Sequence, residues 1–504
     1  TQKYIMKKIT LLFILSLSII SLSYSQNKFG KNEIDKEFIG YSINGHIKNL
    51  EKNQDTLILA SYRATFKGTQ SFAVDTALVL SDKILFKKNT PLEEGMYFIF
   101  DPQTGGMLLP LFVTNQKFSF YFDIKNFDNT LSFENSIDNT IAAEYQTFLQ
   151  AKLETRNKLS NKLDSLANDD REVIENKIAT INNSVKDYTN NFIEKNSKTF
   201  FSKFLKANQQ IEIPKSPLDS NGNPDRNFPY NFSKKHFWDN IDFTDSRILR
   251  TPIFFNKMDI YFDKMTAKHP DSINQSADIL IKLSKANDEI FQYVVSYITS
   301  TYERSKIMGM DAVFVHMVEK YYITNQCDWV DSTMLVKMQD RAQKIAPNLI
   351  GRKATEFIAY GTAFMKDTLD IPHTLSEIKA DYTVLVFFGP SCGHCKKEIP
   401  KIKHDVDSLI SVGYNIETFA VATEFDKKEW KKFINDQKIG DWINVADINH
   451  DEDGNPVASS DWRDKYDIYS TPVIYLLDKE KKIIAKRISH TQLVEVLGRL
   501  EENN

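Results

Sequence analysis

The sequence predicts a multidomain chain with an N-terminal antiparallel β domain, a central α-helical region and a C-terminal α/β fold. Three observations carry this. Short apolar runs alternating with turn residues fill the region up to about Phe133. Long amphipathic stretches follow, with no glycine between Gly106 and Gly222. Strand-like and helix-like segments then alternate from Pro347 to the end. At 504 residues the chain is too long for a single core.

Apolar residues at 41% and charged residues at 26% describe ordinary globular material. A formal charge of −3 gives no electrostatic reason to expect nucleic acid or an anionic membrane surface as partner. Three cysteines, Cys327, Cys392 and Cys395, are too few for a disulfide-stapled scaffold.

The first 25 residues read as an address. Met6-Lys7-Lys8 is a basic start, Ile9–Leu22 an apolar run, and Ser23-Tyr24-Ser25 supplies small residues for cleavage before Gln26. A membrane span needs ~20 apolar residues, and this run is shorter and broken by serines. Thr1–Ile5 read as a tail upstream of the natural start at Met6. The expected location is the periplasm or cell envelope, an oxidising compartment.

Residues 26–138 read as a β-sandwich-like domain. Phe118, Phe120, Phe122 and Ile124 alternate with polar residues, the mark of a half-buried strand, and Thr56–Leu59, Phe72–Leu80, Ile84–Phe86 and Met96–Phe100 are further strands. Residues 139–346 read as helical. Ile174, Ile178, Ile181, Val185, Tyr188 and Phe192 form one stripe, with Asp169-Asp170 at its start, and Leu159, Leu163 and Leu166 form another, together a helical hairpin. Such a stripe serves either an intrachain core or a dimer seam, and two heptads favour the core. Asp219–Tyr230 alternates acidic and amide residues as a calcium loop does, but lacks the closing Glu, as does His450–Asn455. His316 and Glu319 share a helical face, one pair where a metal site needs several; a hydrogen-bonded histidine is expected. Cys327 stands alone and reads as a buried thiol.

Residues 347–504 read as one small α/β domain. Strand Val384–Phe388 is broken by Gly389-Pro390, and helix Cys395–Ser411 follows the pair Cys392-Gly393-His394-Cys395. Strand Ile416–Thr423, helix Asp426–Gln437, a strand at Asn444–Ile448, strand Val473–Leu477, the turn Asp478-Lys479-Glu480, strand Lys482–Arg487 and helix Thr491–Leu500 complete it. A bridge between Cys392 and Cys395 closes too small a loop to stabilise much, so the pair reads as chemical. Exchange needs a thiolate. Cys392 at a helix N-terminus has one favoured, with His394 between the sulfurs and Lys396 and Lys397 nearby. Cys392 is the expected nucleophile and Cys395 the resolving thiol. Zinc wants four ligands, and no second pair exists; no metal and no cofactor are expected.

These motifs, CGHC after an apolar strand, Pro400 five residues past Cys395, and Thr471-Pro472 before a late strand, resemble the thioredoxin fold. The run Cys395–Pro400 and the lead-in from Pro347 are similar to the TlpA-like branch of exported bacterial thiol–disulfide oxidoreductases, over roughly Pro347 to Glu502. The resemblance implies that Pro472 is cis and packs against the dithiol. It also implies that Thr471 lends backbone groups to a substrate strand, that Glu398 sits near the thiols and tunes their titration, and that Pro400 bends the active-site helix. Two positions depart from the pattern. Val386 stands where thioredoxins carry a buried acid, leaving Glu398 as the candidate acceptor, and Ser391 replaces the usual aromatic. Gly393-His394 resembles protein disulfide isomerase, implying a potential above thioredoxin's ~ −270 mV.

The expected activity is disulfide exchange with protein cysteines, by reduction or isomerisation, with cytochrome c maturation one setting and a membrane thiol carrier the electron donor. The alternative is an envelope binding or assembly protein whose dithiol domain is secondary; deletion of 347–504 separates the two. A peroxidase is disfavoured because neither cysteine of the pair stands in a Thr-x-x-Cys arrangement: Gly389 lies three residues before Cys392, and Cys392 three before Cys395.

Overall fold

The structure is a computed structural model that describes residues 40–50, 55–65, 67–163, 168–218, 220–363, 371–424, 426–446, 449–450, 456–457 and 462–502. The expected leader, Asp219 and Asp451–Asn455 lie outside the described residues. The chain divides into two compact units. One runs to Ala267 and includes Lys282–Phe291; the other comprises Lys268–Ile281 and Gln292 onward.

In the first unit the strands are β1 (Tyr41–Lys48), β2 (Thr56–Thr65), β3 (Gly68–Leu78), β4 (Lys83–Lys88), β5 (Gly95–Asp101), β6 (Gly106–Val113), β7 (Lys117–Asp123) and β8 (Ser132–Glu134). They form two four-stranded sheets, β4-β1-β7-β8 and β3-β2-β5-β6. Ile43, Phe86 and Phe120 from the first meet Leu57, Ile99 and Leu111 from the second in one core. The alternation read in β7 is realised: Phe118, Phe120 and Phe122 are buried and their neighbours face outward. Gly45 makes room for this packing, since a Cβ there would come within 2.3 Å of Phe120 Cζ.

One pair departs from the antiparallel expectation. β1 and β7 run parallel, Ile43 opposite Phe118. The five strands between them lie mostly in the other sheet, so the chain returns beside β1 by a crossover and not by a hairpin. β6 carries Pro110 and lies at a sheet edge, where a missing N–H costs no ladder bond.

Helices α1 (Ile137–Leu163), α2 (Asn168–Lys195) and α3 (Phe200–Asn208) follow. The predicted stripe is half-buried until Phe192, which is fully covered, and Tyr188 stacks on Phe148 with ring centroids 3.6 Å apart. Asn139 of α1 accepts from Phe112 N and donates to Phe112 O, both at 2.8 Å, completing the β6 edge. Shorter helices α4 (Phe228–His236) and α5 (Ile253–Asp259) come next, and α6 (Pro270–Ser284) and α7 (Asp288–Glu303) cross the division between units.

The second unit contains α8 (Asp311–Met317) and α9 (Ser332–Ile345), the latter capped by Asp331. His316 pairs with Asp278, which also accepts from Lys320 and Tyr321. Cys327 is buried, and burial pushes its thiol up to about 12.

A seven-stranded sheet of order β10-β9-β13-β12-β11-β16-β17 dominates this unit. Its strands are β9 (Ala359–Ala363), β10 (Ile371–His373), β11 (Tyr382–Phe388), β12 (Ile416–Ala422), β13 (Ile443–Ala446), β16 (Val473–Leu477) and β17 (Ile483–Lys486); β14 (Asn449–His450) and β15 (Pro456–Val457) pair separately. β11, β12 and β13 are mutually parallel, and β16, β17, β9 and β10 run antiparallel to their neighbours. The unbroken apolar run of β11 follows from burial on both faces. Val384, Val386 and Phe388 pack with Ile399, Trp430 and Leu493, whereas Leu385 and Phe387 pack with Phe357, Trp462 and Tyr475. The helices are α10 (Gly393–Ser411), α11 (Lys427–Asp436) and α12 (His490–Glu502). α10 runs on through Pro400.

Candidate functional site

β11 delivers the chain to the C-terminal edge of the parallel strands, where α/β sheets place their sites. Thr423 N donates to Phe388 O at 2.8 Å, tying the end of β11 to that of β12. Gly389 then opens a tight turn in which Cys392 N donates to Gly389 O at 3.0 Å, and α10 begins. Cys392 is the N-cap of α10, its sulfur accepting from Cys395 N at 3.5 Å. Capping residues are usually oxygen-bearing; a thiolate does the same work with a full negative charge.

Both cysteines are free thiols in this structure, the reduced form of the pair expected to bridge. Cys392 is half-buried, and its S–H donates to Thr471 O at 3.4 Å. Burial alone would raise this thiol. Hydrogen bonds from the Thr471 side chain and from the Cys395 and His394 amides outweigh it, and the net shift is downward. Cys395 is fully buried and accepts from Gly389 N at 3.4 Å. Its burial wins, and the thiol is pushed up to about 12. One sulfur is therefore prepared as the anion and its neighbour as the protonated reserve.

The Thr471–Pro472 bond is cis, and Thr471 touches the dithiol through both its carbonyl and its side chain. The side-chain contact goes beyond the backbone role expected of this residue. His394 is exposed and reaches Cys392 through its backbone N–H. Glu398 is engaged by a neighbour on its own helix. Its carboxylate accepts from Lys401 Nζ at 2.8 Å, which together with that cation holds it below the usual range.

Sequence reasoning missed Glu424. Its carboxylate accepts from Ser391 N at 2.9 Å and from Ser391 Oγ at 2.7 Å, directly on the turn that presents Cys392. The signal lay in the parallel pairing of β11 and β12, which aligns Phe388 with Ala422 and brings the first residues past each strand to one edge. Among the described residues no three of His, Cys, Asp and Glu stand close enough together to hold a metal ion.

Three family models match consecutive regions. A domain of unknown function (DUF4369) covers residues 41–142, a second domain of unknown function (DUF5106) covers 176–348, and the AhpC/TSA family covers 350–486. No curated protein matches. Among solved structures, a thioredoxin-like protein from Bacteroides caccae is 20% identical, spanning 57% of this chain and 98% of its own, with a TM-score of 0.42. A domain titled "possible thiol-disulfide isomerase" from Cytophaga hutchinsonii is 37% identical over 31% of this chain and 95% of its own, with a TM-score of 0.25. A thiol:disulfide interchange protein from Bacteroides sp. is 24% identical over 30% of this chain and 88% of its own, with a TM-score of 0.24.

Proposed function

Because residues 350–486 are a thioredoxin-like domain of the AhpC/TSA family, we propose that this chain is a thiol–disulfide oxidoreductase acting on protein cysteines through Cys392 and Cys395. The observation that carries the reading is the opposed preparation of the two sulfurs, one accessible and lowered, the other buried and raised, beside a cis Thr471–Pro472 bond.

The Cys392 thiolate attacks one sulfur of a substrate disulfide. That S–S bond breaks, and the leaving sulfur departs as a thiolate that takes a proton from water. Cys395 then gives up its proton, attacks Cys392 Sγ and releases the second substrate thiolate. The substrate has gained two electrons and the protein holds a Cys392–Cys395 bridge. A dithiol donor restores the pair. The same steps reversed oxidise a substrate dithiol, and release before resolution isomerises one.

We assign the exchange to the bacterial envelope, with a membrane thiol carrier as the electron donor and cytochrome c maturation as one setting. The support is Met6-Lys7-Lys8 followed by Ile9–Leu22 and Ser23-Tyr24-Ser25. The test is Cys395→Ser expressed in full-length form. It is expected to accumulate mixed disulfides on Cys392 that dissolve in reductant, and the captured proteins identify the substrates and their compartment. A folded, exported variant that captures nothing overturns the proposal.

A further inference from the structure

We propose that Glu424 is a positioning residue of the dithiol, clamping the turn that presents Cys392 and holding the Cys392 anion in check by like charge. The inference rests on the oxidoreductase reading and extends it to a residue outside the Cys392–Cys395 motif.

The clamp is geometric. Both oxygens of the carboxylate are used, Oε2 by Ser391 N at 2.9 Å and Oε1 by Ser391 Oγ at 2.7 Å, and Ser391 is the residue before the nucleophile. Gly389 shows how closely the carboxylate approaches the sulfurs' surroundings. A Cβ built on Gly389 would lie 2.5 Å from Glu424 Oε1, 3.3 Å from the Cys392 methylene and 3.3 Å from Thr471 Oγ1. The carboxylate, the nucleophile's side chain and the hydroxyl that bonds it thus converge on the one spot where the chain has no side chain.

The charge argument follows from which other ionisable groups the segments around Cys392 carry. On α10 these groups are Cys395, exposed His394, Lys396 and Lys397, and Glu398, which is engaged by Lys401 at 2.8 Å. On the turn after β12, Asp426 spends its carboxylate capping α11 through Lys428 N and Glu429 N, both at 2.9 Å. On the segment before β16, Asp467 pairs with Arg487 at 2.8 Å, and Thr471 brings a hydroxyl and a carbonyl. Glu424 is held by an amide and a hydroxyl, neither of which cancels its charge. A like charge placed on the neighbouring residue's turn disfavours an anion. Glu424 therefore opposes the helix N-terminus and the lysines, and moderates how oxidising the pair becomes.

The experiment is a pH titration of thiolate absorbance on the reduced full chain, with the exchange equilibrium against glutathione measured alongside. Glu424→Gln keeps an acceptor for Ser391 but removes the charge. It is expected to raise the thiolate fraction about tenfold on the acid side of the midpoint, more at low salt, and to make the pair more oxidising. Glu424→Ala, which removes the same charge, shifts the titration in the same direction. Ser391→Ala, which removes one of the two clamp bonds but leaves the charge, moves the titration less than Glu424→Gln does, and Glu424→Asp returns towards the unmodified protein. A Glu424→Gln titration that overlays the unmodified one, or a Ser391→Ala shift of equal size, overturns the inference. Disulfide exchange by the unmodified protein, assayed in the same preparations, reports separately on the function: its absence removes the oxidoreductase reading whatever Glu424 does.

Discussion

Cys392 and Cys395 are one helical turn apart, and their surroundings shift the two thiols in opposite directions. The partly exposed sulfur receives hydrogen bonds that favour its anion, while the enclosed one has burial working against ionisation. Limited alkylation of the reduced protein at neutral pH should therefore modify Cys392 first and leave Cys395 and buried Cys327 to react only after unfolding, as peptide mass spectrometry will show. Since the folded thiol of Cys392 sits below its ordinary value, its alkylation rate should rise with pH through a midpoint lower than that of the same thiol in the unfolded chain. Equal labelling of all three cysteines in the native protein would contradict the geometry. At this scale the sequence was informative wherever chemistry is local. The spacing of the pair and the N-cap position of Cys392 are borne by adjacent residues, whereas the cis bond before Pro472 was expected only through the family resemblance. Glu424 was invisible because its neighbour, Ser391, lies 33 positions away and meets it only through strand register.

β11 shows why an apolar run is legible as a strand but not as a position in a sheet. Its five central residues are buried on two faces, and the sequence alone does not say which strands flank it. Register decides that, and register placed Ala422 beside Phe388. The hairpin of β9 and β10 that extends the sheet at β13 went unread, being short and lacking a clear alternation. β6 was obscured by Pro110, which an edge strand tolerates. That edge owes its closure to Asn139, a side chain from the following helix. Asn139→Ala should leave Phe112 N and O buried without partners and cost about 2 kcal/mol in denaturant unfolding. A change under a few tenths of a kcal/mol would show that the edge is solvated instead.

At the scale of the whole chain, each unit draws its core from segments far apart in sequence. In the second unit Lys486 of β17 is buried, with its ammonium donating to Asn348 O at 2.6 Å and paired with Asp311 at 2.5 Å. Burial lowers the lysine, and Asp311 works against that shift. Removing the carboxylate alone leaves a cation in an apolar setting. Asp311→Ala should therefore destabilise this unit by about 1–3 kcal/mol, discounted because Asp311 is itself partly exposed. Lys486→Met combined with it should recover most of the loss. Chemical denaturation of the two variants decides; equal losses in both would remove the argument.

Lys486 also bears on how such a protein can be taken apart. The AhpC/TSA match begins at residue 350, just beyond Asn348 and well past Asp311, so a cassette cut at that seam carries the ammonium away from both of its anchors. A graft of the dithiol module onto another carrier would need either those two residues brought along or an apolar side chain installed in the lysine's place.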